Sequence, residues 1–269
     1  MKKFLKIKIN LALAIVLIAI SIVGTFGITY TIMNKSVLEP IKSSNEISPK
    51  SINELYSAAV KDAMIIEDNE ILPLVNLEKG EPYATYNDDG RILLLTFHKY
   101  PASYPNGENV KIAWGEVWTF TGGELAKWYK ENKDTVSDWS IRLKQLIGLP
   151  PDNKNTTFTA MWVKPENIVR PANIQDIGKI TMVNTLSKNA NETFTKWFNN
   201  NIIWSYFDSA YPWTRLGYTY DWGENAKSEY GLSEFLVLAN SEVEVAYTVT
   251  MDEMLSMLED GSWLPKNKN

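Results

Sequence analysis

The chain has 269 residues, with 27 Lys+Arg against 32 Asp+Glu, one histidine and no cysteine. Without cysteine it has no disulfide, no thiolate nucleophile and no cysteine-ligated zinc or iron–sulfur centre, and a single histidine makes a zinc site a poor fit. Four of the basic residues lie in the first ten positions and every acid follows them. Beyond residue 34 the net charge is therefore −9, which excludes nucleic acid and other polyanions as natural partners.

Residues 1–10 form a basic tip with Lys2, Lys3, Lys6 and Lys8, and no acid precedes Glu39. Residues 11–33 then carry no charged side chain and no Asn or Gln. At about 1.5 Å per residue a helix over this run reaches roughly 34 Å, enough for a hydrocarbon core of about 30 Å. The pattern predicts a single transmembrane signal-anchor at 11–33, with the basic tip cytoplasmic and the rest of the chain extracytoplasmic. Secretion after signal cleavage is the alternative. The apolar run is longer than the usual signal-peptide core, and no A-x-A site follows it. A richness in Lys, Asn and Ile fits a bacterial source with an AT-rich genome. Residues 34–51, with Pro40 and Pro49, read as a linker; 52–263 read as one extracytoplasmic domain and 264–269 as a polar tail.

Within the domain, Ile52, Leu55, Tyr56, Ala59, Val60, Ala63 and Met64 recur at helical spacing. Tyr83–Tyr86 and Arg91–His98 flank Asn87-Asp88-Asp89-Gly90, a hairpin pattern. Val110 to Phe120 reads as one strand. Helices are predicted over Gly123–Asn132 and Ser137–Ile147, with Gly148 as stop and Pro150-Pro151 beyond it. A strand over Thr156–Val163 and an irregular stretch from Pro165 to Gly178 come next. A helix over Ala190–Tyr206 precedes strands at Tyr218–Trp222, Glu234–Ala239 and Val243–Val249, and Met251–Leu258 closes as a helix. Strands and helices mix without βαβ alternation. That predicts an α+β fold, with a largely antiparallel sheet and packed helices.

Four residues are candidates for chemistry. In an unbroken strand Glu116 shares its face with Val110, Ile112, Trp114, Trp118 and Phe120, which would bury a carboxylate among tryptophans and raise its pKa. Asp208 and Asp221 bracket an aromatic stretch and supply further carboxylates for acid–base glycoside chemistry. His98 is the only imidazole, and it meets no G-x-S-x-G or H-E-x-x-H pattern. In that same stretch Tyr211, Trp213, Arg215, Tyr218, Tyr220 and Trp222 form the expected ligand-binding set, since aromatic faces stack on sugars or organic cations. Packing of the same rings into a core is the competing reading. No pattern calls for a metal or a cofactor.

The strings from Trp139 to Pro151, from Trp162 to Pro171, and from Pro212 to Trp222 with Gly231 to Phe235 resemble segments of an uncharacterised family of exported or membrane-anchored bacterial proteins. The resemblance covers about residues 90–250. It implies a recurring exported domain and transfers no catalytic residue. Glu234 ahead of an apolar strand is similar to the terminal strands of ADP-ribosyltransferases. Leu232, however, stands where that family carries a second Glu or Gln, and no Ser-Thr-Ser strand lies upstream. The expected function is binding or scaffolding in the cell envelope through the aromatic surface, with an envelope protein or glycan as partner and the membrane as anchor through residues 11–33. The alternative is an envelope hydrolase or glycan-acting enzyme using paired carboxylates.

Overall fold

The computed structural model describes residues 51–208 and 210–265, apart from the side chain of Asp208. The basic tip, the apolar segment 11–33, nearly all of the linker and residues 266–269 lie outside the described residues. Among the described residues no helix is long and apolar enough to cross a membrane.

The sequence Ile92-Leu-Leu-Leu-Thr-Phe-His98 forms β1 and is buried along its whole length. A continuous apolar run, rather than an alternating one, marks a strand covered on both faces. Its neighbour β4 (Thr157–Val163) is buried likewise and pairs with it antiparallel from Ile92↔Val163 to His98↔Thr157. Around this pair the strands β2 (Asn109–Lys111), β3 (Val117–Phe120), β5 (Ile168–Val169), β7 (Tyr230–Val237) and β8 (Glu242–Thr250) complete the order β2-β8-β4-β1-β3-β7-β5. β6 (Tyr218–Tyr220) pairs with the other half of the β7 edge. Every pairing is antiparallel.

One face, with Leu93, Leu95, Phe158 and Leu232, packs on the helices α2 (Gly122–Asn132), α3 (Trp139–Leu146) and α5 (Met251–Asp260). The opposite face, with Ile92, Leu94, Met161, Phe235 and Val245, is covered by Leu77, Tyr104 and Ile112. Burial of a leucine contributes roughly 1.5–3 kcal/mol. The three leucines of β1 therefore outweigh any helix cap, each worth ~1 kcal/mol. A third, aromatic cluster joins α1 (Ile52–Asp62) to α4 (Glu192–Ile203) through Tyr56, Phe194, Phe198, Tyr206, Trp213, Tyr220 and Trp222.

The α+β class and the antiparallel sheet agree with the sequence pattern. The expected single strand Val110–Phe120 does not form. It breaks into β2 and β3, and Gly115 between them takes φ 115°, a conformation that an L side chain adopts only under strain. β2 pairs with β8 at one edge of the sheet, whereas β3 lies between β1 and β7. Residues 112–116 cross from one place to the other, so the parity argument that buried Glu116 fails and Glu116 is exposed. The predicted hairpin keeps its turn, with Asn87 N–H bonded to the Arg91 carbonyl, but its first arm reduces to the single bridge Tyr86↔Ile92. The predicted helix Ala190–Tyr206 ends at Ile203 and continues as a π-turn over Trp204–Asp208.

Candidate functional site

Thr121 caps α2, accepting the Glu124 N–H at 3.3 Å. The string Thr-Gly-Gly-Glu has the form of a capping box, in which the glutamate folds back to the cap. In α1 and α5 the corresponding Glu54 and Glu253 do so. Glu124 instead turns inward to β7. Its Oε2 accepts the Ser233 N–H at 2.9 Å and its Oε1 accepts the Tyr230 hydroxyl at 2.9 Å. The Ser233 and Tyr230 hydroxyl oxygens lie 2.6 Å apart, and Ser233 Oγ accepts the Val75 N–H at 2.9 Å. The Ser233 hydroxyl also reaches Glu124 Oε1 at 3.4 Å, so Tyr230 and Ser233 both serve the carboxylate and tie it to the 73–76 segment.

The Glu124 carboxyl is buried, and burial pushes its pKa up to about 7 against the opposing pull of the Tyr230 and Ser233 hydrogen bonds and of Arg170. Burial likewise raises the Tyr230 phenol, with the Glu124 charge adding to it. Glu124 and Tyr230 form part of the wall of a cleft of about 370 Å³, together with Pro73 to Asn76, Glu81 to Tyr83, Lys127 and Ile180. Apolar walls with a few convergent polar groups and a carboxyl titrating near neutrality are the general make-up of a small-ligand site.

Beneath this cleft lies Arg170, with no exposed surface. Its guanidinium sits over the Phe235 ring at 4.6 Å and donates to the carbonyls of Val75, Lys179 and Gly217 at 2.7, 3.1 and 3.3 Å. Burial lowers its pKa to about 10, so it remains charged at neutral pH. Glu234 is also buried, and its Oε1 has no hydrogen-bond partner. Burial raises its carboxyl well above the usual range, against the opposing pull of the Arg170 charge.

The residues singled out in the sequence go elsewhere. Asp221 is buried and receives both guanidinium arms of Arg142, at 2.9 and 2.5 Å. His98 is buried in β1; its Nδ1 accepts the Tyr100 N–H at 3.0 Å and its Nε2 bonds Thr159 Oγ1 at 2.7 Å. Thr159 bonds Thr248, which donates to the Tyr104 carbonyl, so the imidazole is a satisfied structural group. Burial lowers its pKa to about 4. The side chain of Asp208 lies outside the described residues. Among the described residues no hydrogen bond or ion pair joins Glu116, His98, Arg215 and Asp221 to one another.

The predicted aromatic surface is largely interior. Trp213, Tyr218, Tyr220 and Trp222 are buried, and each polar tip is spoken for: Trp213 by the Pro171 carbonyl, Tyr218 by Glu70, Tyr220 by Asp62 and Trp222 by Leu149. Arg215 donates to the carbonyls of Ala63 and Met64, closing the end of α1. Tyr211 stays at the surface. The buried tyrosines anchor distant segments, which accounts for their density in the string.

Asp62, Glu70 and Glu229 bring three carboxylate oxygens within 4.8 Å of one another. Burial, a hydrogen bond to Glu70 and the charge of Asp62 raise the Glu229 carboxyl to about 7. These are the residues whose donor type suits a hard cation. Comparison with family models, curated proteins and solved structures gives no match to the chain.

Proposed function

We propose that the chain is a membrane-anchored, extracytoplasmic binding domain of the bacterial cell envelope whose ligand occupies the Glu124 cleft. Residues 11–33 serve as the anchor, the basic tip stays in the cytoplasm, and 34–51 links the anchor to the domain. The observation that supports this reading is the cleft itself: a buried carboxyl at about pKa 7, tied to a tyrosine and a serine, beside Lys127 and Glu81. The ligand is a polar segment of an envelope protein or glycan that offers a hydrogen-bond donor to Glu124 and an acceptor to Lys127. The strong acidity of the domain argues against a polyanion.

The test is thermal shift of the full chain in detergent against short peptides and amino-sugar fragments. A ligand that raises the midpoint of the wild type, but not of Glu124→Gln or Lys127→Ala, supports the cleft. Ligands whose effect survives both substitutions would remove it.

The pKa of Glu124 favours a second reading, general acid–base catalysis in the same cleft. Under that reading Glu124→Gln keeps ligand binding and loses turnover. Asp221 is not the second carboxylate of such a site, because Arg142 holds it.

A further inference from the structure

Apolar side chains gather in solvent where α4 ends. Ile203 is 51% exposed, Trp204 60% and Phe207 73%. The π-turn that carries them is pinned from beneath. Ser205 and Tyr206 are buried, and the Tyr206 hydroxyl bonds the Ala63 carbonyl at 3.0 Å, just past the end of α1. At the other end of the turn, the Tyr56 hydroxyl of α1 donates to the Ala210 carbonyl at 2.8 Å, next to the surface-exposed Tyr211. Ile52, one turn before Tyr56 on the same side of α1, is exposed as well. Exposed aromatic and aliphatic side chains concentrated in one place mark an interaction face.

We infer that this face, with Trp204 and Phe207 at its tip, inserts into the interface of the lipid bilayer that anchors the chain. The inference rests on the anchor proposed above. Tryptophan, tyrosine and phenylalanine favour the headgroup boundary, where a ring is half in hydrocarbon and half in water. The charge pattern agrees. The domain as a whole is acidic, and an anionic membrane repels it; residues 193–207, bounded by Glu192 and Asp208, hold no acid and one cation, Lys196. Position in the chain agrees too. α1 starts at Ile52, directly after the linker, and the 18 residues of 34–51 reach about 60 Å even when fully extended. Tyr56 lies only about 6 Å along the helix from Ile52. The tether is therefore long enough for the face fastened to α1 to meet the bilayer. Tethering makes a weak interfacial contact effectively intramolecular.

The chain has no cysteine, so one introduced cysteine labels one place. Full-length Phe207→Cys, Ala14→Cys and Lys154→Cys variants are labelled with an environment-sensitive NBD dye. Each is reconstituted in vesicles of phosphatidylethanolamine and phosphatidylglycerol, with and without nitroxide lipids. The expected result is a blue-shifted, lipid-quenched signal at positions 14 and 207 and a water-like signal at 154. Adding Ile203→Ser and Trp204→Ser to Phe207→Cys should return position 207 to the water-like signal. A lipid signal at 14 with a water signal at 207 overturns the inference and leaves the anchor standing. A water signal at 14 removes the anchor itself; position 207 in water then overturns both, whereas lipid quenching at 207 alone would show that the face binds bilayer unaided. A signal at 207 that follows protein density instead of lipid assigns the face to a second copy and overturns the inference.

Discussion

Arg170 and Arg142 each lie against an aromatic ring, Phe235 at 4.6 Å and Trp128 at 4.7 Å, yet their two regions satisfy the charge in opposite ways. Around Arg142 the solution is an ion pair: both arms meet Asp221, which also accepts the Gly223 N–H. Around Arg170 no carboxylate of the described residues bonds the guanidinium, and it is held by backbone carbonyls from residue 75, residues 176–179 and residue 217. The pair is a local clip between α3 and the end of β6. The carbonyl cage ties three segments far apart in sequence under one cleft. A clip can be replaced by two apolar side chains, whereas a cage leaves several acceptors stranded when its cation is removed.

The sharpest way to break this comparison is Arg170→Met. Its loss should cost about 4 kcal/mol, because buried carbonyls lose their donors and a buried charge network is opened. Urea denaturation of the full chain measures it, and a loss under ~1 kcal/mol would mean that water replaces the guanidinium. Gly217→Ala should act in the same direction. Its Cβ would stand 2.7 Å from Arg170 Cδ, on a residue at φ +86°.

The Arg170 region also contains Glu124, and there the test is pH. Its folded pKa of about 7 lies above the ordinary value of 4.5, so between those values the folded state holds a proton that the unfolded chain has released. Stability is then complete below pH 4.5, falls as pH rises to about 7 and is flat above it. The decline should approach 3 kcal/mol, from roughly 1.4 kcal/mol per pH unit. Glu124→Gln should remove its share of the slope and leave the part contributed by Glu229, whose carboxyl is raised into the same range. An unchanged slope in the variant would assign the whole titration to Glu229.

Little of this polar region was legible in the sequence, whereas the sheet was. The pattern places a strand at Arg91–His98 and helices from Ile52, Ala190 and Met251, and the structure has them, with Ser51, Asn191 and Thr250 capping the first turns through local hydrogen bonds. Such signals act over a few residues. The break in Val110–Phe120 depends on pairings with β8, β1 and β7, all distant in the chain, and Gly115 was its only local sign. Glu124 was visible only as the last residue of a capping box, a role that competes with the one it takes. The tyrosines at 218 and 220 read as ligand-binding because their rings can stack on sugars; here the rings are buried and the hydroxyls bond the Glu70 carbonyl and the Asp62 carboxylate.

A smaller effect sharpens the other half of the comparison. Asp221→Asn should cost about 2 kcal/mol, since it leaves the Arg142 guanidinium without its counter-charge in a largely buried place. The double variant Arg142→Met with Asp221→Leu should recover to within ~1 kcal/mol of the wild type, as apolar replacements of buried pairs do. No double variant at Arg170 should do this, because its partners are main-chain carbonyls that no substitution removes. A double-mutant cycle by urea denaturation distinguishes the two regions.

The effect expected at His98 has the opposite sign to that of Glu124. Burial lowers the His98 pKa from 6.5 to about 4, so between these values the unfolded chain binds a proton that the folded state refuses. Stability from this group is therefore complete above pH 6.5 and is lost as pH falls toward 4. Protonation at Nδ1 would also set a second donor against the Tyr100 N–H. His98→Gln should flatten the acid side of the stability profile, leaving the decline from Glu124 above pH 4.5. Urea midpoints at pH 4.5, 5.5 and 7.5 check it: in the wild type the His98 gain and the Glu124 decline oppose each other between pH 4.5 and 6.5 and largely cancel, whereas the variant should be most stable at the lowest of the three. An unchanged acid limb in His98→Gln would place the acid sensitivity in another group.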